Sequence, residues 1–374
     1  MAATEVRPAG RWLAKRVFVD VPFRLHGHDP AWVPPLRYAV YDRLSARHPA
    51  WSHQRWALWT AHRHGAVVGR IGACIDSLFN ERQGERWAWV GFFDSVDDPG
   101  VAGSLFDVAL DWARRQGART AVGPANFTTN DELGLLVDGF GSPPTLMTLE
   151  NPPYYEQLWL GSGWGQVMDL YGYLFRRETV GGLSERQRRA LERIRARSEV
   201  SLREMRTDDY DAELGRFFDL YNRIWEQNWG YVPMPEAEVR HLGRQLKRVI
   251  NPRWALALER NGKAVAVCLA LPDANRPMLK VRSGRLLPTG WAALYFGMRK
   301  VKHVRVFALG VHPEVQYMGL GPMLYGEIFS RLWADGVQTA EASWTLATNS
   351  RINKQIEAMG AERHKIWRLY KRDL

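Results

Sequence analysis

The sequence predicts an α/β (α+β) protein of two like-built domains, each a mixed, mostly antiparallel sheet flanked by helices. Three observations carry this. The chain has 374 residues, room for two domains of roughly 150 residues each. One order of elements (hairpin, strand, helix, strand, helix, strand) occurs twice, with weak residue identity between the copies. In each copy a strand–helix–strand crossover demands parallel pairing within the sheet.

In the first copy, residues to about Ser52 are rich in Pro and aromatics, lack a clean period and wrap the domain. Trp56–Ala61 and Ala66–Cys74 read as a hairpin about the turn His62-Arg63-His64-Gly65. Trp87–Phe93 is a strand. Gly103–Gln116 is an amphipathic helix, with Leu105, Phe106, Ala109, Leu110, Trp112 and Ala113 on one face and Gly117 closing it. Thr120–Gly123 is a strand, helices follow around Leu133 and around Pro153–Leu160, and Met168–Phe175 is the last strand. A basic helical pattern, Ser184–Ser198, then links the copies. It carries Arg186, Arg188, Arg189, Arg193, Arg195 and Arg197, and reads either as a solvated face or as a patch for phosphate or lipid.

The second copy restarts with strand Ser201–Arg206 and helices Asp211–Trp225 and Glu236–Val249. Trp254–Leu258 and Lys263–Leu271 form its hairpin around Arg260-Asn261-Gly262. Arg305–Val311 is a strand, Gly321–Asp335 a helix, Thr339–Ser343 a strand, Asn349–Met359 a helix and Ile366–Lys371 a strand. The expected domains are residues 1–180 and 200–374, joined by a linker at 181–199.

Composition narrows the function classes. No apolar run approaches the roughly 20 residues that cross a bilayer, and the N-terminus lacks the apolar block of a signal peptide. Cys74 and Cys268 lack CxxC partners and nearby His pairs, so buried free thiols in a reducing cytoplasm are expected, and no metal. The formal charge of +11 suits a nucleic acid, an anionic membrane surface or an anionic small molecule. No helix-turn-helix, zinc finger or RNA-recognition signature accompanies it, so no specific nucleic acid is expected.

The stretch Phe307–Tyr325 concentrates the chemistry. A buried strand runs into a loop with Gly319 and Gly321, and a helix begins at the second glycine. Missing Cβ atoms let the backbone approach an anion. Helix-start amides and the helix dipole favour a diphosphate. Pro322 suits the first helical turn. No Lys-Ser/Thr pair follows, as a P-loop requires, and GxGxxG is absent.

In these residues the chain resembles the GNAT acyltransferase superfamily, whose Gln/Arg-x-x-Gly-x-Gly/Ala loop is matched by Gln316-x-x-Gly319-x-Gly321. Thr339–Trp344 resembles the family's fifth strand, with Asn349 starting the next helix and Gly360 closing it. The resemblance is specific from about Val304 to Leu374 and extends to Ser201. It implies acetyl-CoA or a longer acyl-CoA as co-substrate. The diphosphate would lie on Gln316, Tyr317, Met318, Gly319, Leu320 and Gly321. Pantetheine would pair with Leu309, Gly310 and Val311 and touch Asn349. One departure stands out: the family's frequent acidic Tyr, seven residues after that Asn, is Ile356. The first copy resembles a degenerate GNAT domain, because Asp94, Asp97 and Asp98 occupy its loop and would repel a diphosphate. Residues 126–140 and 221–234 resemble tandem-GNAT bacterial proteins. Some relatives of that type are linked to N-acylation of long-chain amino lipids, as in bacterial ceramide synthesis.

The implied reaction is direct attack of an amine on the thioester. It needs a base, an oxyanion donor and alignment. A backbone N–H near Gly310–Val311 suits the oxyanion. Glu341, Glu226, His312 and Glu314 are the candidate bases; Glu341, beside Trp344 and desolvated, is expected to have a raised pKa. The acceptor is a small amine or a long-chain amine at an anionic membrane surface. A non-catalytic acyl-CoA-binding regulator is the alternative. The expected location is the cytoplasm, with possible contact at the inner membrane face.

Overall fold

Runs dense in Val, Ala, Ile and Trp become strands here because both sheet faces are covered. The computed structural model describes residues 3–180 and 185–374. The first half contains β1 (Glu5–Pro8), α1 (Trp12–Leu25), α2 (Arg37–Arg43), β2 (Gln54–Arg63), β3 (Ala66–Asp76), α3 (Ser77–Gln83), β4 (Trp87–Ser95), α4 (Pro99–Arg115), β5 (Thr120–Gly123), β6 (Leu135–Asp138), α5 (Tyr155–Gly161), β7 (Gly165–Arg176) and α6 (Arg177–Val180). The second half contains α7 (Glu185–Ser198), β8 (Ser201–Glu204), α8 (Tyr210–Trp225), α9 (Glu236–Leu246), β9 (Ala255–Arg260), β10 (Lys263–Pro272), α10 (Asn275–Met278), α11 (Gly290–Met298), β11 (His303–Val311), α12 (Leu320–Ala334), β12 (Thr339–Leu346), α13 (Ser350–Ala358) and β13 (Glu362–Asp373). Ser184 and the side chains of Arg186 and Arg188 lie outside the described residues.

The strands join one sheet in the order β1-β2-β3-β4-β5-β13-β7-β12-β11-β10-β9-β8, with β6 also on β13. Its two parallel pairs are β4–β5 and β11–β12, as the crossovers require. The sheet order adds a feature that the element order did not reveal: the halves exchange their last strands. β7 pairs with β12, from Arg176↔Thr339 to Leu170↔Leu346. β13 pairs with β5, from Tyr370↔Gly123 to Asp373↔Thr120. The exchanged strands lie against each other from Glu362↔Leu174 to Lys371↔Gly165.

Trp367 pins the exchange. It comes from the second half yet is fully buried with Trp89, Val122 and Leu170 of the first. Its indole N–H donates to the Leu149 carbonyl at 2.8 Å. Gly134 and Gly172 make room, since a Cβ at either would lie 2.7 or 2.8 Å from Trp367 atoms. Cys74 and Cys268 are buried free thiols, and burial pushes both pKa values up.

Besides α3, which fills a stretch assigned no element, three regions differ from the sequence-based expectation. No helix surrounds Leu133; it forms a bridge with Ala125, and Leu135–Asp138 is a strand on β13. Gly134 and Gly139, both at φ +86, break the helical path, and the apolar run is buried by sheet pairing instead. The N-terminal wrap contains regular structure, with α1 burying Phe18, Val19, Val21 and Pro22. Pro22 and the exposed Trp12 and Leu13 hide that helix from a periodicity count. Between β10 and β11, α10 and α11 occupy a stretch assigned no element.

Candidate functional site

The site begins where a ladder stops. β11 and β12 pair over His303↔Thr339, Val304↔Ala340, Arg305↔Glu341 and Val306↔Ala342. Past Val306, β11 runs on to Val311 with β10 as its strand neighbour, while β12 turns toward β7 through an irregular step between Ala342 and Thr345. A wedge opens between the strands. The buried Arg305 guanidinium holds it, donating to the Ser343 carbonyl at 2.9 Å and to the Leu146 and Met147 carbonyls at 2.6 and 3.1 Å. Burial pulls the Arg305 pKa down to about 10.

Leu309, Gly310 and Val311 form the free end of β11. The end of α8 leans on it: a Cβ at Gly310 would lie 2.7 Å from both Ile224 and Trp225 atoms. After β11, His312 caps a short 3-10 turn, Pro313–Met318, and Gly319 at φ +78 turns the chain into α12. The helix starts at Leu320, one residue before the expected Gly321. Among the described residues, no side chain caps α12. Gln316 and Tyr317 are exposed, and Met318, Gly319 and Gly321 are half-buried. The position of a Cβ at Gly321 is open, with Val311 nearest at 3.8 Å. Asn349 caps α13 through the Ile352 amide, and Arg351 on that first turn lies over the Tyr317 ring at 5.1 Å. The loop follows directly on the β11 end, and the α13 start meets it where Arg351 lies over Tyr317. Ile356 is a fully buried core residue.

The candidate bases separate. Glu341 is buried, accepting from Thr145 Oγ1 at 2.7 Å and contacting His364 Nε2 at 2.9 Å. Burial alone would raise its pKa, but His364 and the hydroxyls outweigh burial and lower it. This corrects the expectation of a raised value: the carboxylate is committed to bonds that favour its charged form. Glu226, just past α8, is half-exposed and paired with Arg82 of the first half at 2.6 Å. His312 Nδ1 accepts the Glu314 amide at 3.4 Å, and the Glu314 side chain points into solvent.

A cavity of about 470 Å³ lies beside the wedge, between the halves. Its walls include Trp32, Leu146, Met147, Met234, Leu242 and Met278. Most charges on it are paired: Arg43 with Asp131, Asp94 with His26 and Arg70, Glu132 with Asn126. Glu150 differs. Its Oε2 is buried without a hydrogen-bond partner, and the nearest cation, Lys365 Nζ, is 3.9 Å away and donates instead to the Gly139 and Ser142 carbonyls. Burial pushes the Glu150 pKa up to about 7. With no hydrogen bond on Oε2 and its one ion-pair partner at 3.9 Å, the carboxylate leaves room for a closer cationic partner.

Sequence reasoning missed Arg305, Glu150 and the cavity. A charge inside Val304–Leu309, otherwise apolar, was the available signal for Arg305. Glu150 sits in an irregular stretch whose burial comes from the other half, so no local signal exists. Asp42, His48 and His241 bring potential ligand atoms within 4.8 Å of one another. However, His48 Nδ1 accepts the Ala50 amide, which leaves the proton of the neutral ring on Nε2. That donor set does not fit a cation.

No family model matches the sequence. A tandem GNAT protein from the clavulanic acid biosynthesis pathway shares the fold, at TM-score 0.57 and 14% identity over 99% of this chain and 98% of its own. Protein YghO of Escherichia coli is 32% identical over 96% of this chain and 93% of its own length. The protein named bacterial ceramide synthase of Caulobacter vibrioides is 34% identical over 96% and 94%. With likeness of that order along nearly its whole length, the chain belongs to the family of YghO and the Caulobacter bacterial ceramide synthase, and its fold is that of tandem GNAT proteins.

Proposed function

We propose that the protein is an acyl-CoA-dependent N-acyltransferase whose acceptor is a long-chain amine. The observation that carries this reading is the open wedge at β11–β12, beside a glycine-led helix start without a side-chain cap and a mixed apolar and acidic cavity. Residues Gln316–Gly321 would hold the diphosphate, and Leu309–Val311 with Asn349 the pantetheine arm. The cavity would take the acceptor, with its ammonium at Glu150 and its chain on the apolar wall. The kinship with a relative named for ceramide synthesis supports the long-chain choice.

In the chemistry, Glu150 takes a proton from the ammonium, and the free amine attacks the thioester carbonyl. The C–N bond forms, a main-chain N–H near Gly310–Val311 steadies the oxyanion, and the C–S bond breaks. The thiolate leaves, and the second proton of the attacking nitrogen reaches it through water, because Ile356 offers no acid. Glu226 remains the alternative base, on the acceptor side of Trp225. A base with a pKa near 7 is matched to neutral pH.

The test is thiol release from acyl-CoAs of graded length with a panel of amines. Wild-type kcat/KM should rise with pH through about 7. Glu150→Gln should lower it by about 100-fold or more and lose that limb, with acyl-CoA binding unchanged. Full activity in Glu150→Gln with loss in Glu226→Gln would move the base to Glu226. Tight acyl-CoA binding without thiol release from any amine would make the protein a sensor, the reading that Ile356 favours.

A further inference from the structure

Helix α11 inverts the ordinary arrangement of a surface helix, which turns apolar residues inward and charges outward. Its sequence is Gly-Trp-Ala-Ala-Leu-Tyr-Phe-Gly-Met, and Gly290 is its buried residue. Trp291, Tyr295 and Phe296 are 52%, 51% and 57% exposed, and Leu287 just ahead of the helix is 76% exposed. Leaving such side chains in water forfeits the burial that folding normally gains, and a contiguous apolar patch signals a partner.

The charge around this helix is one-sided. Between Asp273 and Glu314 the chain has no acidic residue, but it has Arg276, Lys280, Arg282, Arg285, Arg299, Lys300, Lys302 and Arg305. Three are engaged elsewhere. Arg276 pairs with Asp273, Arg282 donates to the Gly27, Asp29 and Trp32 carbonyls, and Arg305 holds the wedge. Lys280, Arg285, Arg299, Lys300 and Lys302 remain exposed. An apolar helix with Trp and Tyr, bordered by cations, is the composition that rests at a bilayer interface and attracts anionic headgroups.

Its position gives the patch a purpose. Gly297 packs on Pro277 of α10, where a Cβ would meet the Pro277 Cβ at 2.5 Å. Ala274, Asn275 and Met278 of the same segment line the 470 Å³ cavity. One short helix thus separates the exposed patch from the cavity wall.

We propose that α11, together with Leu287, docks the protein onto an anionic membrane surface, with the cavity's α10 wall facing the lipid. The inference concerns where the protein sits and holds whatever the cavity accepts. A second copy of the chain is the weaker occupant, because a twofold contact through α11 would bring the two basic borders together.

Vesicle co-sedimentation of the full chain tests it, using phosphatidylcholine vesicles with and without phosphatidylglycerol. Wild type should bind the anionic vesicles at low salt, and weaken by about tenfold or more without the anionic lipid or at high salt. Leu287→Ser/Trp291→Ser/Phe296→Ser should abolish binding. Arg285→Glu/Arg299→Glu/Lys300→Glu should remove its dependence on phosphatidylglycerol. All these positions are exposed, so unfolding transitions and thiol release with a water-soluble amine should stay unchanged. Equal vesicle binding by wild type and the apolar triple variant would overturn the proposal. So would a wild-type dimer that the triple variant turns into a monomer.

Discussion

In the first half the parallel ladder runs from Trp87↔Thr120 to Trp89↔Val122, and the chain itself packs the space beyond it. The Ala125 amide donates to the Val90 carbonyl at 2.9 Å, and Asn126 Oδ1 accepts the Phe92 amide at 2.6 Å. A Cβ at Gly91 would lie 1.8 Å from the Ala125 oxygen. At the following helix, Asp98 caps α4 through the Gly100 and Val101 amides while its carboxylate meets Arg63 at 2.6 Å. In the second half the ladder stops at Val306↔Ala342, and α12 starts on Gly319 with no side-chain cap among the described residues. The backbone plan is shared; what differs is whether side chains and loop occupy the positions that a ligand needs. The first half fills the space past its ladder with its own loop, and the second half leaves β11 and β12 unpaired with each other past theirs.

The strand exchange ties the two halves into one sheet, and Trp367 is the place to break it. Trp367→Ala should cost about 3–5 kcal/mol, because the cavity would open among fully buried residues from both halves. Denaturant unfolding should show one transition moving to lower midpoint. Two separated transitions would mean that the halves hold together without this side chain.

The cap contrast can be tested by transplanting it. Gly319→Asp puts a carboxylate where the second half has none. Asp tolerates the left-handed backbone, and the neighbour that must yield, Ile194 Cδ1 at 3.1 Å, is a flexible side-chain end. Acyl-CoA affinity should fall by about 100-fold, since the new charge would face a diphosphate. The reciprocal Asp98→Gly should create no binding, because the wedge at Asn126 stays filled. Losing the cap and the Arg63 contact should lower stability by roughly 1 kcal/mol. Unchanged affinity in Gly319→Asp, measured by calorimetry, would remove the diphosphate from this loop.

Much of this comparison was legible in the residues. Gln316–Gly321 had a local signal, two glycines between a strand and a helix. Asp98 had one too, an acidic residue just before Pro99. The filled wedge was not legible, because Pro124–Asn126 acts by where its backbone sits against Val90. Strand exchange was invisible for a related reason: alternating apolar residues state that β7 and β13 are strands, and say nothing of which edge they join. Glu341 misled for the opposite reason. Its strand predicted burial correctly, but the partners that lower its pKa, Thr145 and His364, lie on segments far away in sequence. Exposed α11 escaped because an apolar helix without polar alternation has no period to find.

The smallest effect concerns how the closed half grips the open one. His53, after the first half's 3-10 turn, lies between Asp76 at 2.9 Å and Glu238 of α9 at 2.5 Å. Burial disfavours its charge, but the two carboxylates outweigh burial and push its pKa up to about 9. The unfolded value is about 6.5. A raised folded pKa means that the contribution is full below the unfolded value and fades as pH rises through about 9. Wild type should therefore exceed His53→Gln in stability by roughly 1 kcal/mol at pH 6, about 2 °C or less in a chain of this size. The gap should close by about pH 10. Thermal midpoints of both proteins across that range test the clamp. A gap that persists at the alkaline end would place the titrating contact elsewhere and leave α9 held to the first half by packing alone.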